Sequence, residues 1–542
     1  MKNLWEYQIN LNSAAIWNDS AKILPFLKEW IKVQRWAGLA SISDFELLKM
    51  DEFCLYNTPS SKILGLLVKL QPIQEQKILF TYFIPIEITR YSKPVESTIK
   101  LKCLDEDLIL TPAELSRQFF ESTLEYIAQG KEIQSTHSNQ TYFQRYLSDF
   151  NRIKIKSMKI LGDGGTTNTL FKIIWSDDSK GVCKIFRILS INPEVKMLSS
   201  LYANGFHNVP RPLGSVSMKI EDRDFPLILF SEFIESIGDG GTHFWTNIND
   251  QMKKWDKNVP IESDPLISYC RNLGEIVSDF HYHSSIIQDD FFRPAPISRE
   301  DVSKWKSHLK ELFNSTKKQL TTIFLSEGTA QSISAILERF LKSYLKIDFW
   351  NTLIGAMKIK IHQDLHLSQM LTNPSSGGIR FTIIDFEGDP LLPPEEKFKK
   401  DPIFRDLAAI CSAFHYIKYN ALKGFSEQNL NISSQNFADA YLELCHPSEN
   451  NLISKNSRLI LLIKLAREWE KRCQDWFIDN YIHQSNAHQL ALNLDFTDRT
   501  TFQGFLYIFR IERLIKELYY ESLFRKTNAI IPLIGLLENS TA

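Results

Sequence analysis

Apolar and polar positions alternate along two early runs, Ile63 to Leu70 and Ile78 to Ile86, each bounded by polar turns. That period of two predicts strands. From Ala113 to Ala128 the apolar positions recur at helical spacing, so residues 1–140 read as a mixed strand-and-helix module. The polar run GKEIQSTHSNQ, Gly130 to Gln140, has the composition of a linker that closes this module. After about residue 150 the texture becomes strand, Gly-rich turn, strand: IKSMKILGDGGTTNTLFKIIW, then GVCKIFRIL, a helix opening near Pro193, and FPLILFSEFI. These segments predict a small antiparallel sheet with one inserted helix, spanning residues 150–235. From Pro265 onward long amphipathic patterns dominate, at Leu266 to His281, Asp301 to Leu325 and Ile333 to Leu345. Only IKIHQDLH and IRFTIIDF interrupt them, and these read as two short strands around a loop. The expected fold class is therefore α+β: a small antiparallel β lobe followed by a large helical lobe at 236–542, with the mixed α/β module in front.

Composition narrows the class. A chain of 542 residues exceeds what one core comfortably serves, so at least two packed bodies are expected. Lys and Arg (63) nearly cancel Asp and Glu (64), which removes the global basic field that draws nucleic acid or an anionic membrane. No apolar run reaches the length of a bilayer span, and the start MKNLWEYQIN lacks a leader pattern, so a cytoplasmic location and no membrane partner are expected. No tail, repeat or charge block advertises a protein partner, and a monomer or weak homo-oligomer is expected. The seven cysteines are scattered and lack C-x-x-C pairing, as reduced core thiols would be.

The chemistry concentrates in His362-Gln363-Asp364-Leu365-His366-Leu367-Ser368-Gln369 and Ile383-Ile384-Asp385-Phe386-Glu387. Phosphoryl transfer requires a carboxylate that orients and deprotonates the acceptor hydroxyl, together with ligands for a metal that neutralises charge on the moving group. Asp364 suits the base; Gln369 and Asp385 offer the oxygen ligands that Mg²⁺ prefers. Taken singly, Asp364 reads better as a turn cap and Asp385 as a strand end, but the two together with His362 and an intervening carboxamide point to the chemistry. In LGDGGTTNT, Gly162, Gly164 and Gly165 permit close backbone approach to phosphates, and Thr166, Thr167 and Asn168 supply donors. Lys184, mid-strand among apolar neighbours, needs a partner or a ligand, and Glu194 at the start of the next helix is the natural ion-pair partner. A plain β-turn and a surface lysine are the bland alternatives.

Taken in order, these segments resemble the maltokinases, a group of kinases with an aminoglycoside-phosphotransferase-like, protein-kinase-like fold. The resemblance runs through VQRWAG (Val33 to Gly38), NPEVKML, GFHNVPRPLG, SEFIESIGDGG, DLHLSQML, IIDFEGDPLLP, IFRDLAAICSAFHY and FRIERLIKELYYESLFRKTNAIIPLIGLL. It implies a bilobal kinase-like fold and an ATP- and Mg²⁺-dependent sugar kinase, with phosphorylation of maltose to maltose 1-phosphate as the family's reaction. It also implies Asp364 as base, Gln369 and Asp385 on magnesium, and Lys184 on the nucleotide phosphates. The Ser231 to Phe233 backbone, with Glu232 at its centre, becomes the adenine hinge, and Glu387 on the DFEG turn faces the sugar. Several positions depart from the pattern: Gln363 and Ser368 replace glycines, and Leu39 and Ala40 follow the cap glycine without its usual lysine. His415, beside Tyr416, stands where an acceptor-facing aspartate is usual. The chemical apparatus is thus intact while the acceptor is open, and a kinase for glucose or glucosamine is the alternative; a catalytically silent nucleotide- or sugar-binding regulator is the other.

Read without the family, Glu517, Tyr520 and Glu521 fall within about one turn beside the stripe Ile511, Leu514, Ile515 and Leu518. Carboxylates and a phenol suit sugar hydroxyls or a sugar amine, and a solvated helix face is the alternative. Trp36, Trp245 and Trp350 are candidates to stack on a sugar ring, although an isolated Trp more often fills a core.

Overall fold

The computed structural model describes residues 5–37, 44–72, 80–90, 97–146, 154–162, 167–256, 265–323, 327–375, 378–445 and 457–540. The chain forms two compact units: residues 1–202 with 210–234, and residues 203–209 with 235–542. The first unit holds two sheets. One contains β1 (Trp5–Gln8), β2 (Phe45–Asn57), β3 (Ser61–Pro72), β4 (Thr81–Thr89), β5 (Ile99–Lys102) and β6 (Asp107–Pro112), in the spatial order β1-β5-β6-β4-β3-β2. All its pairings are antiparallel except β1 with β5.

Strand β3 shows why this sheet has two apolar faces. Leu64, Leu66 and Val68 pack with Leu27, Trp30 and Ile31 of the helix Leu24–Lys32, whereas Ile63 and Leu67 pack with Phe119, Phe120 and Leu124 of the helix Arg117–Gln129. The period of two thus feeds two separate cores. Gly65 is required between them, since a Cβ there would lie 2.4 Å from the Phe53 ring.

The second sheet is antiparallel, in the order β7-β8-β12-β13-β11-β10-β9. Its strands are β7 (Glu132–Gln134), β8 (Gln140–Arg145), β9 (Ile155–Leu161), β10 (Thr169–Trp175), β11 (Lys180–Ile185), β12 (Pro212–Ile220) and β13 (Arg223–Glu232). The helix Glu194–Ala203 is inserted between β11 and β12 in the chain. Phe171, Ile173, Val216 and Phe230 carry the sheet's inner face into the cluster that holds Ile63 and Leu67.

The run Gly130 to Gln140 is not a linker. Gly130, at φ +61°, caps the helix before it, and the run then forms β7 and the turn into β8. Buried Asp51 on β2 holds that turn: it accepts from Ser135 Oγ, Thr136 Oγ1 (3.0 Å), the His137 N–H (3.0 Å) and Asn139 Nδ2 (2.8 Å). Side-chain bonding across 84 or more residues gives order that local composition does not show.

The second unit is mainly helical. Its helices include Gly240–Asp256, Leu266–Ile286, Arg299–Ile323, Glu327–Tyr344, Phe404–Leu430, Ser457–Ala487, Arg499–Phe524 and Ile530–Ser540. A small antiparallel sheet of β14 (Gly238–Asp239), β17 (Met370–Ser375) and β18 (Gly378–Ile383) is set among them, with β15 (Ala295–Pro296) paired to β16 (Met357–Lys358). Here the expected hairpin shifts. IKIHQDLH is not a strand, because the hairpin is built from Met370–Ser375 and Gly378–Ile383, and residues 359–366 form a loop whose backbone is held by side chains. No helix among the described residues is long and apolar enough to cross a membrane. All seven cysteines are free thiols, five of them buried.

Burial pushes the Asp51 carboxyl up, but its bonds from Ser135, Asn139 and the backbone of His137 and Glu52 outweigh that and hold it at about 2. A depressed folded-state pKa contributes stability above the unfolded value of about 3.9, and that contribution disappears as pH falls from there toward 2. Asp51→Ala is expected to destabilise the protein by about 2–3 kcal/mol near neutral pH, and by progressively less below pH 4. Chemical denaturation at pH 7 and pH 3 checks this; an equal loss at both values contradicts it.

Candidate functional site

The loop at 359–369 is organised by one carboxylate. Asp406, fully buried in the first turn of the helix Phe404–Leu430, accepts the N–H of His362 at Oδ2 (2.9 Å) and the N–H of Gln363 at Oδ1 (3.0 Å). Its Oδ2 also lies 3.3 Å from Nε2 of His281, whose Nδ1 is 2.8 Å from the Tyr481 hydroxyl. The helix N-terminus favours the negative charge, and the bonds satisfy its buried oxygens. Gln363 has φ +71°, the left-handed region in which a glycine would be easier, at a cost of about 1–2 kcal/mol. Its Nε2 donates to Asp401 Oδ2 (2.9 Å), which offsets part of that strain.

This geometry delivers Asp364. Its N–H points to Nδ1 of His362 (3.4 Å), while Nε2 of His362 donates to the Ile384 carbonyl (2.9 Å). A proton on Nε2 and a lone pair on Nδ1 match these two contacts. Two Arg513 nitrogens approach Asp364 Oδ1 at 3.2 and 3.3 Å, and His366 Nε2 lies 3.6 Å from Oδ2. Burial raises the Asp364 carboxyl, but His366 and Arg513 more than reverse this and keep it at about 2. Asp364 is ionised at neutral pH.

The same loop meets the end of β18. Ile384 donates to the Gln369 carbonyl (3.0 Å) and Met370 pairs with Ile383, so Gln369 and Asp385 come from adjoining backbone. Asp385, half-buried, has φ +65°, a second left-handed non-glycine in the same site. Phe386 is buried against the rings of His362 (4.9 Å) and Phe280 (5.8 Å). Gln369 and Asp385 offer a carboxamide and a carboxylate oxygen, a donor pair of the kind magnesium takes.

A cavity of about 830 Å³ opens at Asp364. The helix Phe404–Leu430 contributes Tyr416 and Asn420, the helix Arg499–Phe524 contributes Arg513, Glu517, Tyr520 and Glu521, and the 238–256 region contributes Asp239 and Trp245. Arg513 joins chemistry to cavity: besides Asp364 it binds Glu517 through Nε (2.6 Å). The Tyr416 hydroxyl lies 3.1 Å from Glu517 and 3.3 Å from Glu521, and Arg525 pairs with Glu521 at 3.2 Å. Burial raises the Glu521 carboxyl above its ordinary value. Arg513 was not singled out in the sequence, although its place one turn before Glu517 was available as a signal.

Other expected positions land differently. His415 does not reach this cavity. It is buried, with Nε2 2.9 Å from the Ile531 carbonyl and Nδ1 3.4 Å from Glu470, because consecutive helical residues point about 100° apart and Tyr416 takes the cavity side. Glu387 is half-buried on the turn but is absent from the cavity wall, which Asp389 lines instead. Trp36 and Trp350 are core residues; Trp245, 43% exposed, lines the cavity.

In the first unit, Lys184 Nζ and Glu194 Oε2 form a buried pair at 2.7 Å, and Asn192 Oδ1 accepts the Glu194 N–H (2.9 Å). Asn168 directly precedes β10; Thr166, Gly164 and Gly165 lie outside the described residues, as do Gly38, Leu39 and Ala40. At the expected hinge the Glu232 and Phe233 N–H groups are already bonded, to the carbonyls of Arg211 (2.9 Å) and Lys180 (3.2 Å), and Lys172 covers the Phe233 ring at 3.7 Å. Both N–H groups are thus engaged.

No family model matches the chain. It is 25% identical over 235 residues to a glucosamine kinase of Mycolicibacterium smegmatis, which covers 43% of this chain and 53% of that protein. A glucosamine kinase of Streptacidiphilus jiangxiensis is 20% identical over 226 residues, 42% of this chain and 47% of its own. The chain thus spans about half the length of the curated relatives it matches. Among solved structures, a glucosamine kinase in complex with glucosamine, ADP and inorganic phosphate superposes with a TM-score of 0.58 at 13% identity, covering 94% of this chain and 97% of that one. A second crystal form of a glucosamine kinase gives 0.58 at 14% identity, over 92% and 95%. The chain has a bilobal kinase-like α+β fold.

The burial of His415 predicts a test of its position. Placing a third carboxylate beside Glu470 and Glu538 would leave buried charge uncompensated, so His415→Asp is expected to lower stability by about 3 kcal/mol or more. A thermal midpoint within a degree of the parent would instead contradict the close approach of His415 to Glu470.

Proposed function

We propose that this chain is an ATP- and Mg²⁺-dependent kinase that phosphorylates a hydroxyl of an aminosugar, with glucosamine the leading acceptor. The observation that carries this is the run of contacts from Asp364 through Arg513 to Glu517, Tyr416 and Glu521 on the wall of one large cavity. Such a wall pairs hydroxyl groups with carboxylates and a phenol, and the carboxylates favour an ammonium over a neutral hydroxyl. The matched relatives are glucosamine kinases, and this favours the aminosugar over maltose.

In this reading residues 1–140 are a cap module, 150–235 the nucleotide-binding lobe and 236–542 the acceptor lobe. Lys184, held by Glu194, meets the nucleotide phosphates, and carbonyls around Glu232 and Phe233 meet adenine. Gln369 and Asp385 would hold magnesium, which neutralises charge on the phosphates. Asp364 accepts the hydrogen bond of the acceptor hydroxyl, aligns its oxygen for attack and takes the proton as the phosphoryl group transfers. Because Arg513 and His366 keep Asp364 ionised, it is a weak base whose main contribution is orientation.

Two outcomes are expected. Asp364→Asn should leave the affinity for ATP within about twofold while lowering kcat by at least about 10², the scale of a lost general base. ADP release with glucosamine, glucose and maltose side by side should give a kcat/KM for glucosamine at least about tenfold above the other two, as a paired buried charge permits. Maltose as the best substrate would overturn the aminosugar reading, and no turnover with any sugar would overturn the kinase reading. Because Asp364 does not titrate above pH 4, it should produce no break in log kcat between pH 5 and 8; a break that disappears in Asp364→Asn would contradict its ionised state.

A further inference from the structure

The helices Phe404–Leu430 and Arg499–Phe524 also wall a second cavity, of about 350 Å³, distinct from the one at Asp364. Cys411, Ser412 and His415 line it from the first helix, Arg510 and Leu514 from the second. Its acidic groups are already committed. The fully buried Lys418 ammonium lies 2.7 Å from Glu470 and 3.2 Å from Glu538; Arg467 Nε lies 2.8 Å from Glu538. His415, Glu470 and Glu538 are close enough together to suggest a metal, but Lys418 supplies the positive charge in place of an ion.

What remains uncommitted is a cation and a donor. Arg510 makes no ion pair among the described residues, and its guanidinium cannot lose its proton. Ser412, only 7% exposed, has a buried hydroxyl with no hydrogen-bond partner. Four cations, Arg467, Lys471, Arg510 and Lys418, stand against three carboxylates, Glu470, Glu538 and Asp475 (the partner of Lys471), a surplus of one positive charge. The volume falls within the range of small-ligand sites, about 300–1,000 Å³.

We propose that this cavity is a second binding site, for a small phosphate-bearing anion, in which Arg510 supplies the charge and Ser412 Oγ–H a hydrogen bond. Ser412 lines both cavities, so an anion bonded to it touches the wall that faces Asp364.

Calorimetric titration of the full chain with inorganic phosphate and, separately, with a hexose 6-phosphate tests this without any assay of turnover. At least one probe is expected to bind with a dissociation constant below about 1 mM, equivalent to roughly 4 kcal/mol. That binding should persist in Lys184→Ala and Asp364→Asn, which alter the proposed transfer site, and weaken at least about tenfold in Arg510→Gln, the scale of a lost charge-assisted bond. Tighter binding of the hexose phosphate identifies a phosphate monoester as the ligand; equal binding identifies free phosphate. If Arg510→Gln does not give a native circular dichroism spectrum, Ser412→Ala decides by the same criterion, with a smaller loss of about three- to tenfold expected for a neutral donor. Binding unchanged by these substitutions, or lost in Lys184→Ala, or no binding of either probe, overturns the proposal.

Discussion

The Asp406 carboxylate is the constraint on which the rest of the site depends. Two consecutive backbone N–H groups, of His362 and Gln363, end on its two oxygens at full burial. A regular strand cannot present successive N–H groups to one acceptor, since they point to opposite edges. The loop must therefore leave β geometry, which is visible as the positive φ of Gln363. Once it does, His362 is turned so that one ring nitrogen meets Ile384 and the other Asp364, and the two aspartate-bearing loops are joined through a single imidazole. His281 and Tyr481 support Asp406 from behind and tie the loop to two further helices.

A second chain of charge links this loop to the acceptor-side helix. Gln363 bonds Asp401, Asp401 pairs with Arg405, Arg405 with Glu512 at 2.8 Å, and Glu512 with Lys516 at 3.4 Å. Arg405 lies over two aromatic rings, 4.9 Å from Trp305 and 5.6 Å from Phe509. Burial raises the Glu512 carboxyl, yet Arg405 and Lys516 hold it at about 2, so Glu512 stays ionised although it is almost fully buried. Such networks are costly to break at one member because the remainder is left unpaired. Glu512 and Arg513 are neighbours that divide the work: one faces the scaffold, the other Asp364.

The parts legible in the sequence are those governed by local period and residue type. Alternation in β3 and β4 and the amphipathic repeats of the 266–286 and 299–323 helices reflect burial on one or two faces, which each segment expresses by itself. Lys184 was legible because an ammonium among apolar strand neighbours needs a partner, and Glu194 is that partner. What escaped depends on distant acceptors. The Asp51 turn looks like a linker because its order comes from a carboxylate on another strand, and residues 359–366 look like a strand because nothing local reveals Asp406. The acceptor-facing place of His415 came from the resemblance alone, and a one-residue step on a helix, which turns the side chain by about 100°, gives that side to Tyr416 instead.

That one-residue step has a consequence for how such a protein can diversify. Tyr416, Glu517, Tyr520 and Glu521 project from two rigid helices, while Asp364, Gln369 and Asp385 belong to loops anchored elsewhere. Exchanging a cavity side chain leaves every backbone bond of those loops in place, so the two sets can drift at different rates. Arg513 belongs to both, paired with Asp364 on one side and Glu517 on the other. It is the position at which a change of ligand preference would be felt by the chemistry, and the natural fixed point for any library that varies the others.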